Sequence, residues 1–157
     1  FAVYTPLSNI YLDNLVKKIR LRHGAKMISR YKSTLFIKNQ LKENKLFLYG
    51  MAADQSAQIR SKTYWKEFLG IKVPVFTGSE RIAKEHDLPV VFGKMKKIKR
   101  GFYNVEVEMI AEKPRSLDNY QITDIFVSKV EKQIKNSPHL YFWTHDRFKH
   151  KDKAPID

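Results

Sequence analysis

The sequence predicts an α/β domain with a mixed, largely parallel sheet, flanking helices and one antiparallel hairpin. Short apolar runs alternate with helical patterns over residues 1–49, which is typical of a parallel or mixed sheet. Residues 103–111 alternate between apolar and polar side chains, as an antiparallel strand does. Apolar residues make up 43% of the 157 residues, enough for a buried core, and we expect a single domain over residues 1–157.

The chain is expected to open with a strand and a helix. Residues 1–4 are an apolar run that ends at a Thr-Pro turn signal. Ser8 or Asn9 can cap a helix that extends to about His23, and Gly24 is a natural stop for it. This helix shows an i, i+4 apolar repeat: Tyr11, Leu15 and Ile19.

Two further strands and a helix are expected before residue 50. Residues 25–28 are a short strand candidate, and residues 33–43 form a helical pattern. Residues 46–49 are continuously apolar, which is typical of a strand buried on both faces. The small and polar residues 50–63 follow the carboxyl end of that strand, where open α/β sheets place their ligand sites.

The rest of the chain is expected to alternate extended and helical segments. Residues 71–76 are extended, a short helix covers 78–86, and 88–92 is an apolar strand. Residues 103–111 complete a hairpin in which Val, Val and Met side chains share one face. The last helix covers about 122–135 and ends at a Ser-Pro pair.

The chain is strongly basic, with 30 Lys and Arg against 16 Asp and Glu and a net charge of +14. Such a domain usually meets an anionic partner: nucleic acid, a membrane surface or a phosphorylated substrate. Five of the cations fall within seven residues: Lys94, Lys96, Lys97, Lys99 and Arg100. They either pair across the hairpin with Glu106 and Glu108 or contact anionic lipid. Charges on both faces and the lack of an RNA-binding aromatic signature argue against a nucleic-acid platform.

Two other groups are candidate binding residues. Arg20 and Arg22 lie near a helix end, where they interact with the helix dipole or bind a phosphate. Asp54 and Gln55 follow an apolar run and form either an ordinary turn or part of a binding pocket.

Residues 78–80, Gly-Ser-Glu, are a third candidate. They are either a standard helix start or a set of backbone N–H groups for an oxyanion or phosphate.

The residues alone do not provide a complete catalytic set. Cysteine is absent, which excludes disulfides, thiol nucleophiles and Cys-based zinc sites. None of the five histidines is followed five positions later by Asp or Glu, and no GxSxG, HExxH or P-loop motif is present. No apolar run approaches the ~18 residues of a membrane span. The chain opens in what reads as a strand, so we expect it to be part of a longer protein.

Several segments together resemble the bacterial lipid A biosynthesis acyltransferases. Residues 138–149, PHLYFWTHDRFK, are similar to the terminal signature of that family. Further similarities follow in the family's order: VYTPLSN at 3–9, RLR at 20–22, DQ at 54–55, TGSERIA at 77–83 and LPVV at 88–91. The chain departs from the family pattern at Asp146, which replaces a basic residue, and at Ile10, which replaces proline.

This resemblance implies a glycerolipid acyltransferase-like fold and an acyltransferase activity. The family transfers a fatty acyl chain from acyl carrier protein, or another thioester, to a hydroxyl of a lipid A precursor or related lipid. Its HxxxxD catalytic pair and hydrophobic anchor are expected upstream of Phe1, so this chain alone is expected to be inactive. The expected location is the cytoplasmic face of the bacterial inner membrane, with no bound cofactor, no metal and no nucleic acid.

The resemblance also assigns expected roles to residues. The expected substrate-binding residues are Arg20, Arg22, Asp54, Gln55, Gly78, Ser79, Glu80, Arg100 and Arg147. The expected contacts with the membrane or acyl carrier protein are Lys94, Lys96, Lys97, Lys99, Trp143 and Lys149. The alternative function is a non-enzymatic basic domain that binds nucleic acid or anionic membrane.

Overall fold

The computed structural model describes residues 1–43 and 46–155 and confirms the α/β class. The described residues contain one parallel three-stranded sheet, two antiparallel strand pairs and four α-helices. The chain divides into two compact units, Phe1–Ala52 and Ala53–Asp157. The expectation of a single domain over residues 1–157 stays a prediction.

The first unit is built around the parallel sheet. Its elements are β1 (Ala2–Tyr4), α1 (Ile10–Arg20), β2 (Met27–Ser29), α2 (Ser33–Leu41) and β3 (Gly50–Met51). The strand order is β2-β1-β3, with Val3 of β1 opposite Ile28 on one side and Met51 on the other. Ile28 and Ile37 are buried, so the small core of this unit lies between the sheet and α2.

Helix α1 begins as predicted but presents a different face inward. The Asn9 side chain accepts hydrogen bonds from the first turn, and Gly24 ends the following 3₁₀ turn with a φ of 78°. The apolar repeat Tyr11, Leu15 and Ile19 is exposed, whereas Asp13 is buried. The Asp13 carboxylate accepts from the Leu7 N–H at 3.0 Å and pairs with Lys17 at 2.6 Å. These bonds replace the hydration that a buried carboxylate loses.

The prediction of a strand at residues 46–49 that is buried on both faces is wrong, both in where the strand lies and in how far it is buried. The strand is only Gly50–Met51, and residues 44 and 45 lie outside the described residues. Leu46 and Leu48 are exposed, while the rings of Phe47 and Tyr49 lie 5.7 and 5.8 Å from the Phe1 ring. Because successive side chains of an extended chain point in opposite directions, aromatic packing on one side leaves the leucines in solvent.

The second unit contains two antiparallel pairs and two helices. Its elements are β4 (Trp65–Phe68), β5 (Ile71–Pro74), α3 (Gly78–His86), β6 (Val90–Lys99), β7 (Phe102–Ala111) and α4 (Gln121–Asn136). The helices predicted near 78–86 and 122–135 are confirmed. Strand β4 was not predicted, and it pairs with β5 through a turn in which Leu69 and Gly70 have φ values of 51° and 79°.

The core of the second unit joins α4 to the strands and to the C-terminal segment. Its buried members are Phe68, Val73, Val75, Phe92, Val127, Val130 and Ile134. The half-buried rings of Phe126, Tyr141 and Phe148 pack against them. Tyr141 and Phe148 therefore anchor the segment after α4 to the core, although many residues of that segment are exposed.

The predicted hairpin is confirmed as the pair β6–β7. Phe92 lies opposite Glu108, Lys94 opposite Glu106, and Met95 opposite Val105. The face that bears Phe92, Lys94, Glu106 and Glu108 packs toward α4. Within the described residues, no helix has the length and apolar character that crossing a bilayer requires.

Candidate functional site

In the first unit, two of the predicted binding cations lie at the end of α1. Arg20 is the last residue of α1, and Arg22 lies in the 3₁₀ turn Leu21–His23 that follows it. Both side chains are exposed, so they can reach an anionic ligand from solvent. Cations at a helix C-terminus are also favoured by the helix dipole, so this position fits either of the two roles expected from the sequence.

In the second unit, the C-terminal segment is hydrogen-bonded to residues 54–56. The Tyr141 hydroxyl donates to the Asp54 carbonyl oxygen at 3.1 Å. The Ser56 backbone N–H donates to His145 Nε2 at 2.9 Å, across 89 residues of sequence. The Asp54-Gln55 pair and the terminal signature, recognised separately in the sequence, therefore lie side by side. Asp54 is half-buried and Gln55 is exposed.

Arg147 of the same C-terminal segment is buried. Its side chain is 3% exposed, and its Nη1 donates to the Pro74 carbonyl oxygen at 2.8 Å. Its guanidinium lies 5.2 Å from the centre of the Phe68 ring. Burial lowers the pKa of Arg147, and the nearby Tyr141 and Asp54 oppose that shift. These contacts give Arg147 a structural role, and substrate binding by it stays a prediction.

Glu80 is buried as well, and both oxygens of its carboxylate accept hydrogen bonds. It is 4% exposed, and its carboxylate accepts from the Tyr120 N–H at 2.7 Å, the Thr123 N–H at 2.9 Å and the Thr123 hydroxyl at 2.6 Å. Lys84 pairs with it at 3.0 Å. Burial raises the pKa of Glu80, but the bonds from Thr123 and Lys84 outweigh burial and hold it below its usual value. Because Tyr120 provides no side-chain cap, the Glu80 carboxylate caps α4 from another helix.

The neighbouring candidates open α3. Gly78 is exposed and Ser79 half-buried at the first two positions of the helix. A Cβ placed at Gly78 would meet nothing within 4 Å, so the protein itself does not require glycine there for space. Binding of an oxyanion by these residues stays a prediction.

The cations of the hairpin fall into two groups. Lys94 and Lys96 pair with Glu106 and Glu108, as the pairing alternative predicts. Hydrogen bonds from Lys129 and Lys94 lower the pKa of Glu108. The remaining cations are exposed around the tip: Lys97, Lys99 and Arg100. Of the five hairpin cations, these three form no ion pair within the described residues, and they can therefore contact an anionic surface.

The last two predicted contact residues lie near the C-terminus. Trp143 is largely exposed, and its indole N–H donates to the Pro138 carbonyl oxygen at 2.7 Å while its ring meets Tyr141 edge-on. Lys149 is exposed. Trp143 therefore belongs partly to the packing of the terminal segment and partly to the surface.

Sequence reasoning did not assign roles to four residues that hold this unit together: Tyr141, His145, Thr123 and Lys84. Tyr141 and His145 stand in the terminal signature, which was used to recognise the family and not to locate contacts. Thr123 is the third residue of α4, and its hydroxyl donates to the Glu80 carboxylate 43 residues away, so no local signal marks this contact. Across residues 1–43 and 46–155, no cluster of three or more His, Asp or Glu side chains could hold a metal ion.

The structure is thus that of an α/β protein with exposed cations and with a C-terminal segment hydrogen-bonded to residues 54–56. The comparison with protein families identifies it further, since the model for bacterial lipid A biosynthesis acyltransferases matches residues 1–150. The chain therefore belongs to the bacterial lipid A biosynthesis acyltransferase family. No curated protein gives a significant match.

Proposed function

We propose that this chain forms part of an enzyme that transfers a fatty acyl chain from acyl carrier protein to a hydroxyl of a lipid A precursor. The observation that carries the proposal is the family match over residues 1–150. In this reaction the acceptor oxygen attacks the thioester carbonyl, a C–O bond forms and the C–S bond breaks. The hydroxyl proton passes to a base and ends on the released thiol.

The base is proposed to be supplied from outside this sequence. None of its five histidines has an acidic residue five positions later, so the HxxxxD arrangement is not encoded in these 157 residues. We infer that a histidine oriented by a carboxylate is contributed by another part of the protein, and that this chain alone does not turn over substrate.

Anion binding is the contribution proposed for this chain. A lipid A precursor carries phosphates, and acyl carrier protein is acidic, so both complement a chain of net charge +14. The exposed Arg20 and Arg22 are the proposed phosphate ligands, because guanidinium groups form paired hydrogen bonds with phosphate oxygens. The site of action is proposed to be the cytoplasmic face of the inner membrane, where donor and acceptor meet.

The test is acyl transfer by the protein that carries the His–Asp pair together with this chain. Arg20→Gln should lower kcat/KM by about tenfold or more, since a hydrogen bond to a charged group contributes ~1.5–3 kcal/mol. Lys18→Gln, an exposed cation on the same helix, is the matched control and should leave the rate within about twofold.

Equal rates for Arg20→Gln and Lys18→Gln would remove Arg20 from the site. Transfer by the 157-residue chain alone would contradict the proposal that the base lies outside it. Retardation of nucleic acid with a steep loss as salt rises would instead support the non-enzymatic alternative.

A further inference from the structure

The two faces of the β6–β7 hairpin differ sharply in their surroundings. On the inner face, Phe92 is buried and its ring meets the Phe126 ring edge-on at 5.9 Å. Further along the same face, Lys129 of α4 pairs with Glu108, and Gln133 accepts from the Met95 backbone N–H at 3.3 Å. Helix α4 thus covers the part of the inner face around Phe92 and Glu108, whereas Lys96 and Asn104 nearer the tip are exposed.

The outer face is apolar and exposed. Its side chains are Val91, Met95, Val105, Val107 and Met109. The strand register places Val91 beside Met109 and Met95 beside Val105, so these side chains form one continuous stripe. Val107 is the most open of them, with 68% of its surface exposed. A contiguous apolar stripe on a water-exposed sheet indicates an interaction surface.

The stripe ends at a tip that is both apolar and basic. Ile98 and Phe102 are 66% and 59% exposed there, and the Lys99 ammonium lies 4.4 Å from the centre of the Phe102 ring. Lys97 and Arg100 complete the exposed cations of the tip. Aromatic rings flanked by basic side chains are typical of elements that lie in a membrane–water interface.

The charges decide among the possible occupants of this surface. A second copy of the hairpin would bring the same cations together, which is unfavourable. An acidic protein would satisfy the cations but would require an apolar face of its own to cover the stripe. An anionic bilayer offers phosphates to the tip and an apolar layer to the stripe.

We propose that the outer face and tip of the β6–β7 hairpin dock on an anionic lipid bilayer. The stripe enters the boundary between headgroups and acyl chains, and Lys97, Lys99 and Arg100 contact the phosphates. Lys94 and Lys96, which pair with Glu106 and Glu108, do not take part. This docking surface deepens the proposed function. It rests on that function in one respect: an enzyme that acylates a lipid has to reach a lipid surface.

The test uses site-specific fluorescence, which the absence of cysteine makes straightforward. Val107→Cys on the outer face and Asn104→Cys on the inner face each receive an environment-sensitive dye. Asn104 is exposed and lies opposite Lys96 on the same strand pair, so it is a matched control. The vesicles contain phosphatidylcholine alone or equal parts of phosphatidylcholine and phosphatidylglycerol.

On anionic vesicles, the dye at position 107 should brighten severalfold and be quenched by brominated acyl chains, and the dye at position 104 should not. Lys97→Gln with Lys99→Gln should weaken vesicle binding about thirtyfold, from ~1 kcal/mol per lysine. Lys132→Gln with Lys135→Gln, which removes two exposed lysines of α4, should change it by less than about threefold.

Three outcomes would overturn the inference. They are equal responses at positions 104 and 107, a response at 107 that depends on protein concentration without lipid, and a response to acyl carrier protein without lipid. Because the dye reports lipid contact and not turnover, acyl transfer that fails with vesicle docking intact would contradict only the proposed function.

Discussion

Replacing Glu80 should lower the free energy of unfolding of the second unit, and this effect can be measured without a substrate. Its carboxylate is 4% exposed and receives four donors, from Tyr120, Thr123 and Lys84. Glu80→Ala leaves the first N–H groups of α4 and the Lys84 ammonium without this acceptor. Breaking a buried charged network from one side typically costs ~3–5 kcal/mol. Glu80→Gln keeps one acceptor oxygen and should cost about 1–3 kcal/mol.

The contribution of Glu80 to folding stability should fall at acidic pH. The folded state holds the pKa of Glu80 below the ordinary value of 4.5. Its contribution to stability is therefore complete above about pH 4.5 and is lost as the pH falls through the lower folded-state pKa. The stability difference between the wild type and Glu80→Gln should narrow over that acidic range and remain constant near neutrality.

The assay is urea unfolding followed by tryptophan fluorescence. Trp65 and Trp143 both lie in the second unit, so the signal reports that unit. Glu85→Gln is the control, because Glu85 is on the same helix, is exposed and contacts charged groups only at its surface, Arg81 at 3.5 Å and the His86 imidazole at 3.7 Å. It should change stability by less than about 0.5 kcal/mol. Equal stabilities of Glu80→Ala and Glu85→Gln would contradict the stabilising role of the Glu80 carboxylate.

Three other predictions concern single side chains. Burial, with the bond to Asp124, raises the pKa of Tyr64 to about 12, so its contribution is complete below pH 10.0 and lost as the pH rises toward 12. Tyr64→Phe should flatten that alkaline loss in urea titrations, and an unchanged slope would contradict it. Arg147→Ala should lower the free energy of unfolding by about 2–5 kcal/mol in tryptophan-detected unfolding, because packing is lost and the Pro74 carbonyl loses its donor. The control Lys149→Ala, at an exposed position, should have little effect. Gly24→Ala should lower the thermal midpoint seen by circular dichroism, at a cost of about 1 kcal/mol from its φ of 78°, and a higher midpoint would oppose this.

The elements that the sequence predicted well are those set by local signals. The i, i+4 repeat of Ile122, Phe126, Val130 and Ile134 predicts α4, and alternation at residues 103–111 predicts β7. Strand β4 escaped prediction because its aromatic residues follow no alternating pattern. It is instead defined by pairing with β5 through a turn with two positive φ values.

The candidate site was predictable in composition but not in arrangement. The Asp54-Gln55 pair and the terminal signature were both recognised, but their contact spans almost the whole second unit. Arg147 was expected to bind substrate, because the terminal signature resembles that of the acyltransferase family. Its burial depends on Phe68 and Pro74, which are distant in sequence, and no local pattern records that.

The placement of the terminal segment bears on how such sequences are interpreted. Tyr141, Arg147 and Phe148 fill space beside Phe68, so selection for a folded domain is sufficient to retain them. A descendant that had lost turnover would keep the same signature for as long as it kept its shape. Finding that signature in a genome therefore identifies an architecture, and competence for chemistry has to be judged from other residues.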